Sequence, residues 1–159
     1  MQRRMFLASL LACLAHTAHA ADSLFAPVTP TARDKCPVCG MFVAKYPDFL
    51  AQVIYPDRAY AVFDGAKDLF KYLVQLPQYA PTRQATDIAA IYVTDYYALS
   101  PIEGKRAWYV IGSDVYGPMG RELIPFAKEG EAKEFLADHK GQRLLRFKDV
   151  TAATLKELD

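Results

Sequence analysis

The sequence predicts an α+β fold built from two small homologous ββαβ units packed together. Three observations carry that expectation. Strand, strand, helix and strand signals recur in the same order in both halves. The two helical segments share a local pattern, Ala66-Lys67-Asp68-Leu69-Phe70 against Ala132-Lys133-Glu134-Phe135-Leu136. The 159 residues are about half hydrophobic and include ten Tyr, nine Phe and one Trp, the composition of a chain that buries a core.

Phe49 to Tyr55 and Ala59 to Phe63 are β-rich runs separated by Pro56-Asp57-Arg58, which reads as a hairpin with a short turn. Asp64 suits the N-cap of a helix over residues 65–75. In that helix Ala66, Leu69, Phe70 and Leu73 follow the spacing of one buried face, and Pro77 and Pro81 stop it. A strand follows over Ala90 to Asp95. In the second half, Ala107 to Ile111 and Glu122 to Phe126 read as strands joined across residues 112–120. A helix over 129–139 puts Ala132, Phe135, Leu136 and His139 on one face, Gly141 suits its C-terminal turn, and Leu144 to Phe147 closes with a strand. The expected organisation is a signal peptide over 1–20, a leader or tether over 21–34, units over 35–100 and 101–150, and a C-terminal tail over 151–159.

Charge excludes one large class of partner. Nineteen Lys and Arg face 18 Asp and Glu, so no basic excess is present to neutralise a nucleic-acid backbone. Three cysteines are too few for a dense disulfide scaffold.

The chain opens with Arg3 and Arg4, an apolar run from Met5 to Ala15, and the small residues Ala18-His19-Ala20, the layout of a secretory signal. Cleavage after Ala20 is the first expectation. Leu10-Leu11-Ala12-Cys13 also reads as a lipobox that would lipidate Cys13. Arg3-Arg4-Met5-Phe6-Leu7 resembles a twin-arginine signal, and an uncleaved anchor is the bland reading. Removing residues 1–20 moves the net charge from +1 to −1 and leaves Cys36, Cys39, Met41, Met119 and His139 as the whole inventory of soft and imidazole ligands.

Three of those five lie together in Cys36-Pro37-Val38-Cys39-Gly40-Met41. Thiolate and thioether sulfurs select Cu(I) over harder ions, and a thioether cannot be consumed by a disulfide in an oxidising compartment. Gly40 permits a tight bend that aims the sulfurs of Cys39 and Met41 to one side. A disulfide or redox couple between Cys36 and Cys39 stands beside the metal reading. Structural zinc usually takes four ligands, and no second CxxC is present to supply them. Haem attachment would need His where Gly40 stands. Met119, between Pro118 and Gly120, is a candidate ligand or a gap-filler. His139 is a candidate ligand or a packed helix-end residue. Asp64, Asp95 and Asp114 read as caps and turns. With no nucleophile–base pair and no phosphate loop visible, nothing in the sequence supports an enzyme.

CPVCGMFV, FDGAKDLFKYL, IYVTDYYA and AWYVIGSDVYGPMGRELIPFAKEGEAKEFLADHKG occur here in the order seen in the NosL family, which the chain resembles over most of residues 35–150. The resemblance implies a periplasmic Cu(I)-binding chaperone, usually a lipoprotein, that supplies copper to nitrous oxide reductase together with an ABC-type membrane maturation complex. It also implies a pair of ββαβ units like the organomercurial lyase substrate domain, a likeness that does not transfer the lyase's chemistry. Matched position by position, it puts soft ligands at Cys39 and Met41, with Met119 a third candidate and Cys36 a fourth. The early position of Cys13 departs from the family's longer signal. The rival functions are a periplasmic thiol–disulfide oxidoreductase using Cys36 and Cys39, and a copper-sequestering protein.

Overall fold

β-branched and aromatic residues pair first. Ala51–Ile54 (β1) and Tyr60–Phe63 (β2) form an antiparallel hairpin with Ala51 opposite Phe63 and Ile54 opposite Tyr60. Its turn uses Arg58 at a φ of 65°, and the Arg58 N–H donates to the Tyr55 carbonyl at 2.9 Å. The computed structural model describes residues 24–159. The expected signal, its cleavage site and Cys13 therefore lie outside the described residues.

Helix α1 spans Ala66–Val74 and buries Ala66, Leu69 and Phe70 of the expected face, with Leu73 half-buried. Its N-cap is Gly65 rather than Asp64, and no side chain caps it; the Asp64 carboxylate is used elsewhere. Pro77 ends this helix and also starts another, the single turn Leu76–Tyr79 (α2), because a first-turn proline has no N–H that needs a partner. The strand Ala90–Thr94 (β3) lies along the far side of β1, and Pro101–Glu103 (β4), not anticipated from the sequence, adds an edge. The first sheet thus runs β2-β1-β3-β4, antiparallel throughout.

The second sheet is built from Trp108–Ile111 (β5), Ile124–Phe126 (β8) and Arg143–Arg146 (β9) in the order β8-β5-β9. Pro125 is tolerated because β8 is an edge strand. Between β5 and β8 the chain makes a small hairpin of Tyr116–Gly117 (β6) and Gly120–Arg121 (β7), with Met119 in its turn. Helix α3, Glu129–Asp138, packs Ala132 and Phe135 against this sheet. At its end Lys140, not Gly141, takes the left-handed conformation (φ 56°). The Gly141 N–H closes the turn on the Leu136 carbonyl at 2.8 Å. Gly141 itself answers a close approach, since a Cβ there would meet Val110 at 2.7 Å.

The fold is α+β, with the strand–strand–helix–strand order present around β1 and again around β5. The main core crosses from one sheet to the other: Val53, Phe63 and Leu69 share it with Tyr109, Ile111 and Leu123. Buried Asp95 ties the halves, accepting from Tyr97 and Ala98 in its own turn and from the Ala127 N–H at 2.6 Å. The stretch expected as a tail forms helix α4, Ala152–Glu157, which is capped by Thr151 and sends Leu155 and Leu158 into that core. The expected leader is also held, through reciprocal bonds between the Val28 backbone and the Gln52 amide.

Candidate metal centre

Residues 35–42 fold back on themselves. A bridge joins Lys35 to Phe42, the Cys36 N–H donates to the Met41 carbonyl at 2.9 Å, and the Gly40 N–H donates to the Cys36 carbonyl at 2.8 Å. Gly40 sits at a φ of 79°, the left-handed conformation that residues with a Cβ adopt at a cost, so the bend expected at this glycine is present. The result is a knuckle whose amides face its sulfurs. The N–H groups of Cys39 and Val38 serve Cys36, and that of Met41 serves Cys39.

Both thiols then meet carboxylates from the start of α1. Cys36 Sγ donates to Asp68 Oδ2 at 3.3 Å, and Cys39 Sγ donates to Asp64 Oδ1 at 3.1 Å. One ligand atom from each of Cys36, Cys39, Asp64 and Asp68 lies within 4.8 Å of all the others. Cys36 is 1% exposed, as is Asp64, and Asp68 is 3% exposed, whereas Cys39 reaches the surface. Oδ2 of Asp64 is buried with no hydrogen-bond partner, a costly arrangement for a carboxylate. Both cysteines are free thiols. Burial is the largest influence on each: it pushes the Cys36 thiol well above its ordinary range and, with the bond to Asp64, raises Cys39 to about 12.

The other anticipated residues are placed as follows. Met41 is half-buried at the base of the knuckle, beside the cluster in sequence. Met119 is 42% exposed in the β6–β7 turn, and its carbonyl accepts from Lys67 Nζ at 2.8 Å. Lys67 lies between Asp64 and Asp68 in the chain, so the turn bearing Met119 is tied to the same helix start. His139 is not part of the cluster; its ring stacks on Phe135 at 4.3 Å and its Nδ1 pairs with Asp114 at 3.1 Å, the packed helix-end role. Asp95 and Asp114 serve turns and helix ends, as read from the sequence.

Asp64 does not cap the helix as its position suggests but partners Cys39, and Asp68, which no sequence motif singles out, partners Cys36. The available signal was two acidic residues flanking the helix start, and the structure buries both.

The NosL family model matches residues 27–155, the whole span that folds the knuckle, both sheets and most of α4. The chain belongs to the NosL family. Among curated relatives it is 31% identical over 139 residues to the copper-binding lipoprotein NosL of Stutzerimonas stutzeri, covering 82% of this chain and 69% of that protein. Among solved structures it matches the copper chaperone NosL from Shewanella denitrificans with a TM-score of 0.67 and 26% identity, over 81% of this chain and 98% of that one. The apo-NosL solution structure from Achromobacter cycloclastes is 28% identical over 66% of this chain and 87% of that one, with a TM-score of 0.46.

Proposed function

We propose that this chain is an exported Cu(I) chaperone of the periplasm that delivers copper for maturation of nitrous oxide reductase, acting with that enzyme's ABC-type membrane complex. The observation that carries the reading is the knuckle, where the two thiols converge against the start of α1 beside the Cys-Gly-Met bend. Soft sulfur donors from Cys36, Cys39 and Met41, with Met119 as an additional thioether, suit Cu(I). The names of the relatives, a copper-binding lipoprotein and a copper chaperone, agree with it.

The carboxylates accept hydrogen bonds from the protonated thiols of the unloaded protein, so the cargo enters by displacing protons rather than by opening a closed ion pair. The same contacts argue against a thiol–disulfide oxidoreductase. Such an enzyme needs a depressed thiol pKa for its nucleophile, and burial drives both thiols here the other way. Cleavage after Ala20 would release a soluble periplasmic protein, and lipidation of Cys13 would tether it.

Titration of the reduced protein against a Cu(I) chelator tests the reading. Saturation near one equivalent is expected, with much weaker binding in a Cys39→Ala/Met41→Ala double variant. Equal binding by parent and double variant would overturn it.

A further inference from the structure

One residue holds the turn that carries Met119. Lys67 is 4% exposed, although lysine is rarely buried without strong partners. Its ammonium donates to the Met119 carbonyl at 2.8 Å and the Leu158 carbonyl at 3.3 Å, and stands 3.9 Å from Asp159. Its backbone N–H donates to Glu122 Oε1 at 2.5 Å. Glu122 follows Met119 by three residues, and its side chain packs over Gly117, where a Cβ would meet it at 3.0 Å. The hairpin is therefore gripped on both sides of Met119. The neighbours of Lys67 in the same turn of chain, Asp64 and Asp68, hold the two thiols.

We propose that Lys67 is a positioning residue for the copper site: it registers the Met119 turn of the β6–β7 hairpin against the thiol knuckle held by the start of α1. The inference rests on Met119 being a copper ligand. A thioether in an exposed turn between Pro118 and a left-handed Gly120 (φ 85°) has little of its own to order it. A ligand on a loop binds tightly only where its supporting contacts remove that freedom beforehand. A carbonyl bond to a buried ammonium does this at the ligand's own residue.

A double-mutant cycle in Cu(I) affinity tests it, with apo thermal unfolding followed in parallel. Met119→Leu is expected to weaken binding, and Lys67→Met to weaken it by about tenfold in the parent while adding nothing in the Met119→Leu background. Lys67→Arg, which keeps a charged donor, should recover most of the loss. Equal losses from Lys67→Met with and without Met119 would reduce Lys67 to a stabilising residue and overturn the inference. No effect of Met119→Leu itself would instead remove the ligand reading on which it stands. If Lys67→Met fails to fold, the parent still decides: the Lys67 ammonium resonance in ¹⁵N NMR should shift on Cu(I) loading and stay put in Met119→Leu. An unmoved resonance in the loaded parent contradicts the proposal.

Discussion

Asp64 Oδ1 accepts the Cys39 thiol at 3.1 Å, 25 residues along the chain from it. That bond favours the protonated sulfur and contributes to raising Cys39 to about 12. A chaperone must release its cargo, and a neighbour that favours the proton over the metal lowers the cost of letting go.

Asp64→Asn should therefore tighten Cu(I) binding at neutral pH rather than loosen it. The amide can donate to the thiolate, and the repulsion between carboxylate and thiolate disappears. Ultraviolet titration of the thiolate should place Cys39 lower in the variant, and chelator competition should show higher affinity. A weaker site would mean that the Asp64 carboxylate binds the ion directly.

The number of thiols that lose protons is readable from pH. Both thiols are raised, so at neutral pH each enters the site protonated, and loading releases one proton per thiolate formed. Affinity should rise with pH by about tenfold per unit if Cys39 alone ionises, and by about a hundredfold if Cys36 joins it. Competition titrations from about pH 6 to 8, corrected for the chelator's own protonation, measure the slope. A flat profile would show that the protons were absent before copper arrived.

Much of the fold was legible because it is local. The two long helices, the β1–β2 hairpin and the strands that became β3, β5, β8 and β9 are set by periodicity and turn chemistry within each segment. The short edge strand β4 and the β6–β7 hairpin carry too few residues to show a period. Helix α4 looked like a tail because its two core contacts, Leu155 and Leu158, become buried only when the rest of the fold is in place. The same distinction divides the site. Cys36, Cys39 and Met41 announce themselves by crowding, whereas Asp64, Asp68 and Lys67 read as ordinary helix-start residues. Their importance lies in contacts 25 to 91 residues away.

Glu122 gives a stability test independent of copper. Burial raises its carboxyl from an ordinary 4.5 to about 8, against the opposing bonds from the Leu123 and Lys67 N–H groups. A group that holds its proton more tightly when folded contributes its stability in full below about pH 4.5, and that contribution is lost as pH rises toward about 8. The apo protein's melting temperature should fall over that window. Glu122→Gln keeps an acceptor oxygen and has no charge to bury, so its melting temperature should change less and be higher at pH 8. An unchanged fall in the variant would place the titrating group elsewhere.

X-ray absorption at the copper edge of the Cu(I)-loaded protein tests the central claim most directly, because it reads the donor atoms themselves. The account predicts a first shell of sulfur alone, supplied by the knuckle with Met119, and loss of one sulfur scatterer in Met119→Leu. A first shell containing carboxylate oxygen from Asp64 or Asp68 would contradict it.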